Sequence, residues 1–437
     1  MTSHNSVPDY SDETPRGWFS RGLAAYRACP LYLRILIGMA LGVVAGLALK
    51  KEAQPLMWGS KLVLQFLTAL APALILVAVV DAILNANVQG RHAARLVFLL
   101  ILNTLVAIVV GLCVANAVRP GVGAHPDVKA QRELPKSDQV GQQLYDQIPT
   151  SLLGPLVTNN VIGVVIVAVV FGIAFRRVSL EHDLTVVNQF VRLLFRAITV
   201  VLHWVLDVVP IAVFCTVAYT IGMQGFAPFV KLAWFMCAVL LALGLQLTWY
   251  LARVRYGSWV RPGALVRGMR DAMFMAFSTA SSTVTMPVTY ACLREKVGLR
   301  EDSASMGALV GSNFNNDGTA LYEAMAALFV AQMIGYDLSL GQQVVIVLMS
   351  VIASVGAAGI PEAGLVTMTL VFSAVGLPKE YILFLIPVDW FLDRCRTVIN
   401  MMGDVNVACL LDGKVRTAAV ATPVPLLEKT VTTESAV

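Results

Sequence analysis

The chain has 437 residues, of which 57% are apolar and only 14% charged, against the roughly 25% charged of an ordinary soluble domain. With a mean hydropathy of +0.74, it is too apolar for a water-soluble enzyme, and disorder, coiled coil and collagen are excluded. The formal charge of +5 fits a topogenic bias better than a nucleic-acid footprint, and seven single cysteines without a CxxC and five scattered histidines argue against disulfide scaffolds and zinc.

The expected class is an all-α, multi-pass protein of the cell membrane (the inner membrane, in a bacterium). Residues 1–30 form a polar cytosolic lead-in with no signal-peptide pattern. Apolar stretches follow at 31–49, 58–84 and 96–118, each able to cross about 30 Å of hydrocarbon at 1.5 Å per helical residue. Residues 119–146 are polar and read as an external loop. Further spans are expected at 147–175, 198–221 and 229–251. Arginines at 16, 21, 27 and 34, at 91 and 95, at 176 and 177, and at 253, 255, 261, 267 and 270 all fall on one face if each stretch crosses once. The positive-inside rule makes that face cytoplasmic.

The C-terminal part is apolar but repeatedly interrupted. The segment 274–290, FMAFSTASSTVTMPVTY, carries seven Ser/Thr around Pro287; 306–333 contains GSNFNNDGT at 311–319; 344–375 contains SVGAAGIPEAG at 354–364. Backbone that leaves the helix at membrane depth is tolerated only inside protein or beside a polar cavity. Broken helices expose amide N–H groups to anions and carbonyls to cations. The first and third segments are expected to turn back as re-entrant hairpins, 306–333 to cross outward, and 381–411 to cross back.

The last span gives the sharpest signal. At 100° per residue, positions 393, 396, 400 and 404 fall at about +40°, −20°, +20° and +60° from Asp389, with Thr397 at about +80° and Arg394 off the wall at about 140°. One wall of an apolar helix thus carries Asp389, Asp393, Arg396, Asn400 and Asp404. Intramembrane charge costs several kcal/mol unless paired or hydrated, and marks a functional site by default. Asp404 and Asp317 call for a cation, since carboxylate, carbonyl and amide oxygens suit a hard ion. Arg396 offers a planar fork for a carboxylate, and Asp393 could hold an ammonium. Together they describe an acidic amino acid.

These blocks carry a resemblance. SSTVTMP at 281–287, NNDGTALYEA at 315–324, GAAGIPEAGLVTM at 356–368 and DWFLDRCRTVINMMGD at 389–404 look like the dicarboxylate/amino acid:cation symporters, which include the excitatory amino acid transporters. The match is specific over about 261–411. The resemblance implies a homotrimer in the lipid bilayer, with eight transmembrane helices and two re-entrant hairpins in inverted repeats, working as an elevator. Scaffold helices would lie in 31–95 and 147–222, and a transport domain in 96–118 and 223–412, with a cytosolic tail at 413–437.

By matching position, the resemblance implies that Arg396 holds the side-chain carboxylate and Asp393 the amino group. Thr397, Asn400, Ser282, Thr319, Ile360 and Gly364 would add substrate contacts. Asp404, Asn315, Asn400 and the Gly311 carbonyl resemble one cation site, and Asp317, Asn315, Asn103 and Thr104 a second. Backbone oxygens of Ser354, Val355 and Ala357 resemble a third, and Asn313 and Asn316 are further candidate cation ligands.

Three positions depart from the pattern. Asn316 stands where the family has Met, bringing an amide oxygen in place of a thioether. Leu100, Asn103 and Thr104 stand for the usual Tyr, Thr and Ser. Ala280 replaces the first-hairpin Arg of archaeal relatives, while Arg394 matches that of the animal branch. Glu323 also matches that branch and, as an acid in apolar surroundings, suits a proton carrier.

The function this supports is symport of glutamate or aspartate with cations, expected to be sodium, with proton and potassium as further coupled ions and no enzymatic cofactor. Carriers of C4-dicarboxylates or neutral amino acids, and a carrier with substantial anion-channel activity, remain alternatives. No nucleophile–base pairing is evident for an enzyme.

Overall fold

The computed structural model describes residues 29–85, 91–123, 148–158, 160–356 and 363–416. These form helices and turns, with no strand among the described residues. The lead-in, most of the expected 119–146 loop, the C-terminal tail and residues 357–362 of the expected second hairpin, with Ala357 and Ile360, lie outside the described residues.

Helix α1 (Leu31–Leu49) ends in a 3-10 turn (Lys50–Leu56), from which α2 (Met57–Asn85) departs. Helices α3 (Arg91–Val118), α4 (Val161–Val178), α5 (Thr185–Gln224) and α6 (Ala227–Gly257) follow. Four helical stretches, Leu33–Asp81, Ala94–Val118, Thr185–Gln224 and Ala227–Gly257, are long and apolar enough to cross a membrane.

Two boundaries differ from the sequence expectation. The fourth span is shorter than 147–175, because Asn160 caps α4 by accepting from the Gly163 amide at 3.0 Å and a separate short helix, Gly154–Val157 with Pro155 near its start, precedes it. The fifth is longer than 198–221: α5 has 40 residues, about 60 Å at helical rise. Its first turns carry Arg192 and Arg196, which lower hydropathy without hindering a helix.

Helix α5 packs against both α1 and α2, and α4 packs on α2, where Gly172 meets Ile83. A stripe of glycines on α1, Gly38, Gly42 and Gly46, meets Pro210, Phe214 and Ala218 of α5 in register, so the two helices run parallel. A Cβ on Gly42 would stand 2.8 Å from the Phe214 carbonyl oxygen and 2.9 Å from the Val217 Cβ. Small residues at every fourth position permit this approach between apolar helices. Helix α2 runs the other way, since Ser60 bonds to Ala212 while Asp81 faces Arg192. Polar groups here pair at the edges, as in the Arg34–Asp207 bridge at 2.9 Å.

The second group begins with a helical hairpin. Helix α7 (Arg270–Thr279) stops at Ala280, held in the left-handed region at φ 50°, and α8 (Ser282–Ala291) starts from a Ser281 cap. Lys296 beyond α8 meets Asp271 at the start of α7, so the chain turns back as expected. The stretch 301–333 is helical in pieces: a turn at Glu301–Ser305, a π-turn at Met306–Val310, a 3-10 turn at Gly311–Asn313, and then α9 (Asp317–Met333). Two arms, α10 (Leu340–Gly356) and α11 (Ala363–Ala374), precede the long α12 (Ile382–Asp412).

Every residue of α9 is buried, because α3, α6, α10, α11 and α12 surround it. Thr104 meets Asp317 and Ala115 meets Gln332, so α3 and α9 run parallel. Phe235 of α6 stacks on Phe329 at 4.5 Å while Tyr250 reaches Asp317, making α6 antiparallel to α9. These directions agree with the alternation read from the arginines.

Candidate functional site

The site forms where the broken start of α9 crosses the middle of α12. The close approach is possible because position 403 has no side chain. A Cβ on Gly403 would lie 2.4 Å from the Asn315 amide nitrogen, 2.8 Å from Asp317 Oδ2 and 3.0 Å from the Tyr250 hydroxyl. Asp389, Asp393, Arg396, Thr397, Asn400 and Asp404 are all buried, so the predicted wall of α12 faces protein and not lipid.

Arg396 has no exposed surface. Its Nη2 lies 2.8 Å from Asp393 Oδ1 and 3.0 Å from Asp389 Oδ1, and its guanidinium carbon sits 4.1 Å from the Tyr322 ring centroid. Gly364 of α11 backs onto the same group, where a Cβ would stand 3.0 Å from Nη1. Nε and Nη1 of Arg396 and Oδ2 of Asp393 have no hydrogen-bond partner. A buried polar group left so costs about 1–3 kcal/mol, more when charged. The unmatched atoms are two donors on a planar fork and an acidic acceptor, which is the complement of a carboxylate and an ammonium.

Below this lies an amide cluster. Asn400 Oδ1 accepts from the Gly318 amide at 2.7 Å, and Asn400 Nδ2 lies 3.3 Å from Asn316 Oδ1 and 3.4 Å from the Thr319 hydroxyl. Asn315 Nδ2 donates to Asp404 Oδ1 at 3.0 Å and to the Asn400 carbonyl at 3.1 Å, while Asn315 Oδ1 and the Ser312 hydroxyl are unpartnered. The Gly311 carbonyl accepts from the amides of Phe314 and Asn315 at 2.8 Å each. Asn316 Nδ2 donates to the Ser354 carbonyl at 2.8 Å, tying α10 to the start of α9. Asn313 belongs to the 3-10 turn and Val355 to the end of α10 through their backbones.

Ser282, buried, opens α8 at the tip of the first hairpin. Arg394, outside the wall as the helical wheel requires, donates to the carbonyls of Phe277 at 3.0 Å and Ser278 at 2.7 Å. It thereby neutralises the C-terminal end of α7, one turn from Ala280. Glu323, fully buried, accepts from the Thr367 hydroxyl of α11, and its second oxygen has no partner.

Sequence reasoning missed three residues. Tyr322 lies within a quoted block, but nothing in its spacing marks its ring as the floor beneath Arg396. Tyr250 donates its hydroxyl to Asp317 Oδ2. Arg253, counted among the topogenic arginines, turns inward onto the Asn103 side-chain oxygen. The last two stand 67 and 150 positions from their partners, beyond any local pattern.

The model of the sodium:dicarboxylate symporter family matches residues 31–414, spanning both helix groups and the whole crossing. The chain belongs to this family. Among its relatives are the excitatory amino acid transporter 3 of Oryctolagus cuniculus, 28% identical over 439 residues (86% of this chain, 83% of the relative), and its Homo sapiens counterpart, 31% identical over 379 residues (74% and 72%). An excitatory amino acid transporter of Caenorhabditis elegans is 38% identical over 248 residues (56% and 49%). This family member is a multi-pass protein of the cell membrane, and its relatives are transporters.

Proposed function

We propose that this protein is a secondary active symporter of an acidic amino acid, glutamate or aspartate, driven by sodium. The observation that carries the reading is the buried Arg396 beside Asp393. A guanidinium with two unmatched donors and a carboxylate with one unmatched acceptor fit a molecule bearing both a carboxylate and an ammonium. A C4-dicarboxylate would leave Asp393 facing a second anion, and a neutral amino acid would leave the Arg396 fork unpaired.

In this reading Arg396 binds the side-chain carboxylate and Asp393 the amino group. Thr397, Asn400, Thr319, Ser282, Ile360 and Gly364 shape the remaining contacts. Asp404, with Asn315, Asn400, Asn313 and Gly311, takes a sodium ion as cargo. Ser354, Val355 and Ala357 supply backbone oxygens for another near Asn316. Asn316 couples the two ligands, since its amide touches both Asn400 and the Ser354 carbonyl. Cation binding that orders α10 would complete the substrate pocket at Gly364, and the linkage is reciprocal.

Glu323, held by Thr367 on the arm that also carries Gly364, is the proposed proton carrier, with potassium as the ion of the return step. The group of α1, α2, α4 and α5 would be the fixed scaffold of a homotrimer, and the group around α9 and α12 the moving elevator. Purified protein in liposomes with an imposed sodium gradient tests this. Labelled aspartate or glutamate should accumulate against its gradient and collapse with a sodium ionophore. Accumulation of succinate or alanine in place of acidic amino acids would reject it.

A further inference from the structure

Two fully buried carboxylates face the crossing, and their surroundings differ. Asp317 begins α9, where the helix N-terminus favours negative charge. Its Oδ1 receives the Thr104 hydroxyl at 2.7 Å and its Oδ2 the Tyr250 hydroxyl. Asp404 lies mid-helix, where no terminus helps, and its hydrogen-bond partner is the Asn315 amide. Among the described residues no Lys, Arg or His side chain lies within 4.0 Å of either carboxylate, but Asp317 has a guanidinium one residue away.

That guanidinium is Arg253. It comes from α6, with its charged end 5.5 Å from the Trp249 ring centroid, and docks on Asn103 Oδ1. Asn103 is wholly buried and adjacent in chain to Thr104; its Nδ2 lies 3.4 Å from the Gly403 carbonyl and its own carbonyl 3.3 Å from Gln246 Nε2. The one side-chain oxygen that Asn103 could give to a metal ion is therefore taken by a tethered cation.

We propose that Arg253 is a built-in counter-cation for the Asp317–Asn103–Thr104 pocket, so that this pocket takes no transported sodium. The inference rests on the symport reading above and deepens it: it fixes which of the sequence-expected cation sites carry cargo. A mobile ion at Asp317 would have to share carboxylate oxygens that each already accept a hydroxyl, and compete for Asn103 Oδ1 with a guanidinium that pays no translational entropy on binding. Asp404 accepts a single amide, from Asn315, and among the described residues no guanidinium sits on the groups beside it. The unpartnered Asn315 Oδ1 and Ser312 hydroxyl are held by the same turn that presents Asp404 with its amide.

The test measures sodium ions moved per aspartate by full-length protein in liposomes, from the reversal potential at set gradients. Arg253→Gln should raise the ratio by one sodium per aspartate, while Arg253→Lys should leave it unchanged. Arg253→Gln transport at the wild-type ratio would overturn the proposal. A second measurement needs no variant. In wild-type protein soaked with thallium(I) in place of sodium, anomalous density should appear at Asp404 and be absent beside Asp317. Density within coordinating distance of Asp317 and Asn103 Oδ1 would overturn the proposal even if Arg253→Gln fails to fold. Should wild-type protein move no aspartate, the symport reading falls, and the thallium map still decides whether Arg253 closes this pocket.

Discussion

The contact of α1 with α5 and the crossing of α9 with α12 both bring two helices into close approach inside an apolar molecule, yet they are built from opposite materials. The first uses absence: glycines at 38, 42 and 46 set backbone against backbone, and its charges pair at the edge, as Arg34 does with Asp207. The second uses the same trick once, at Gly403, and then packs carboxylates, amides and a guanidinium around it. Lipid offers no hydrophobic drive between helices, so small residues suffice for cohesion. Burying charge adds nothing to cohesion that glycine does not already provide. The difference supports the proposal that the polar crossing is a binding site.

The comparison is broken most severely at Arg396. Arg396→Ala leaves Asp389 and Asp393 buried without a counter-charge, a loss of about 3–5 kcal/mol. Acidic-substrate affinity should fall about a hundredfold or more, ~2.7 kcal/mol by the usual conversion. Arg396→Lys should restore stability better than affinity, because an ammonium keeps the charge and loses the fork. Binding isotherms beside thermal unfolding in detergent would check both.

A clamp at the end of α12 separates structural polarity from functional polarity. Asp412, the last residue of α12 and just past the expected 381–411 span, accepts from Trp259 Nε1 at 2.6 Å and from the Arg300 amide and Nε at 3.0 Å each. Burial pushes its carboxyl up, but these donors, with Ser303, outweigh burial and hold it below the ordinary carboxylate value. A depressed group stabilises the fold above its unfolded-state value, so the clamp is intact at neutral pH and is lost as pH falls through the ordinary carboxylate range and below. Asp412→Asn should cost about 1.5–3 kcal/mol, the worth of hydrogen bonds to a charged group. It should flatten the acid limb of stability while leaving sodium dependence unchanged, as a pH series of melting curves would record.

On the apolar side, Gly42→Leu forces side-chain atoms into the Phe214 carbonyl and Val217, costing about 1–3 kcal/mol by overpacking. Unfolding should shift while the substrate affinity of the folded fraction stays put; a changed affinity would mean that the two regions are coupled. The smallest effect is expected at Arg119–Asp337, 2.6 Å apart but largely exposed. A double-mutant cycle on thermal stability should return about 0.2–1 kcal/mol and fade in high salt.

Much of this was legible in the sequence because it repeats at helical period. The wall from Asp389 to Asp404 needed only 100° per residue, and the Ser/Thr-rich run around Pro287 announced a chain that turns back. The glycine stripe on α1 obeys the same arithmetic, but its partner on α5 lies some 170 residues away and leaves no trace in α1 itself. Asn103 reads as a substituted cation ligand until Arg253 is seen on its oxygen. The positive-inside rule counts that arginine with the cytoplasmic face, since a tally of charges carries no information on which way a long side chain folds. The ends of α4 and α5 were misplaced for a related reason: a capping Asn160 and the amphipathic start of α5 set helix ends, and hydropathy responds to neither.

The central claim is that the α9–α12 crossing binds an acidic amino acid and sodium as one linked unit. It is tested most directly by equilibrium binding of aspartate and glutamate to the purified protein across a sodium titration at constant ionic strength. Affinity should rise steeply with sodium, and saturating amino acid should tighten sodium binding by the same factor. An affinity that stays flat from zero to high sodium, or no binding of either amino acid at any concentration, would contradict the claim.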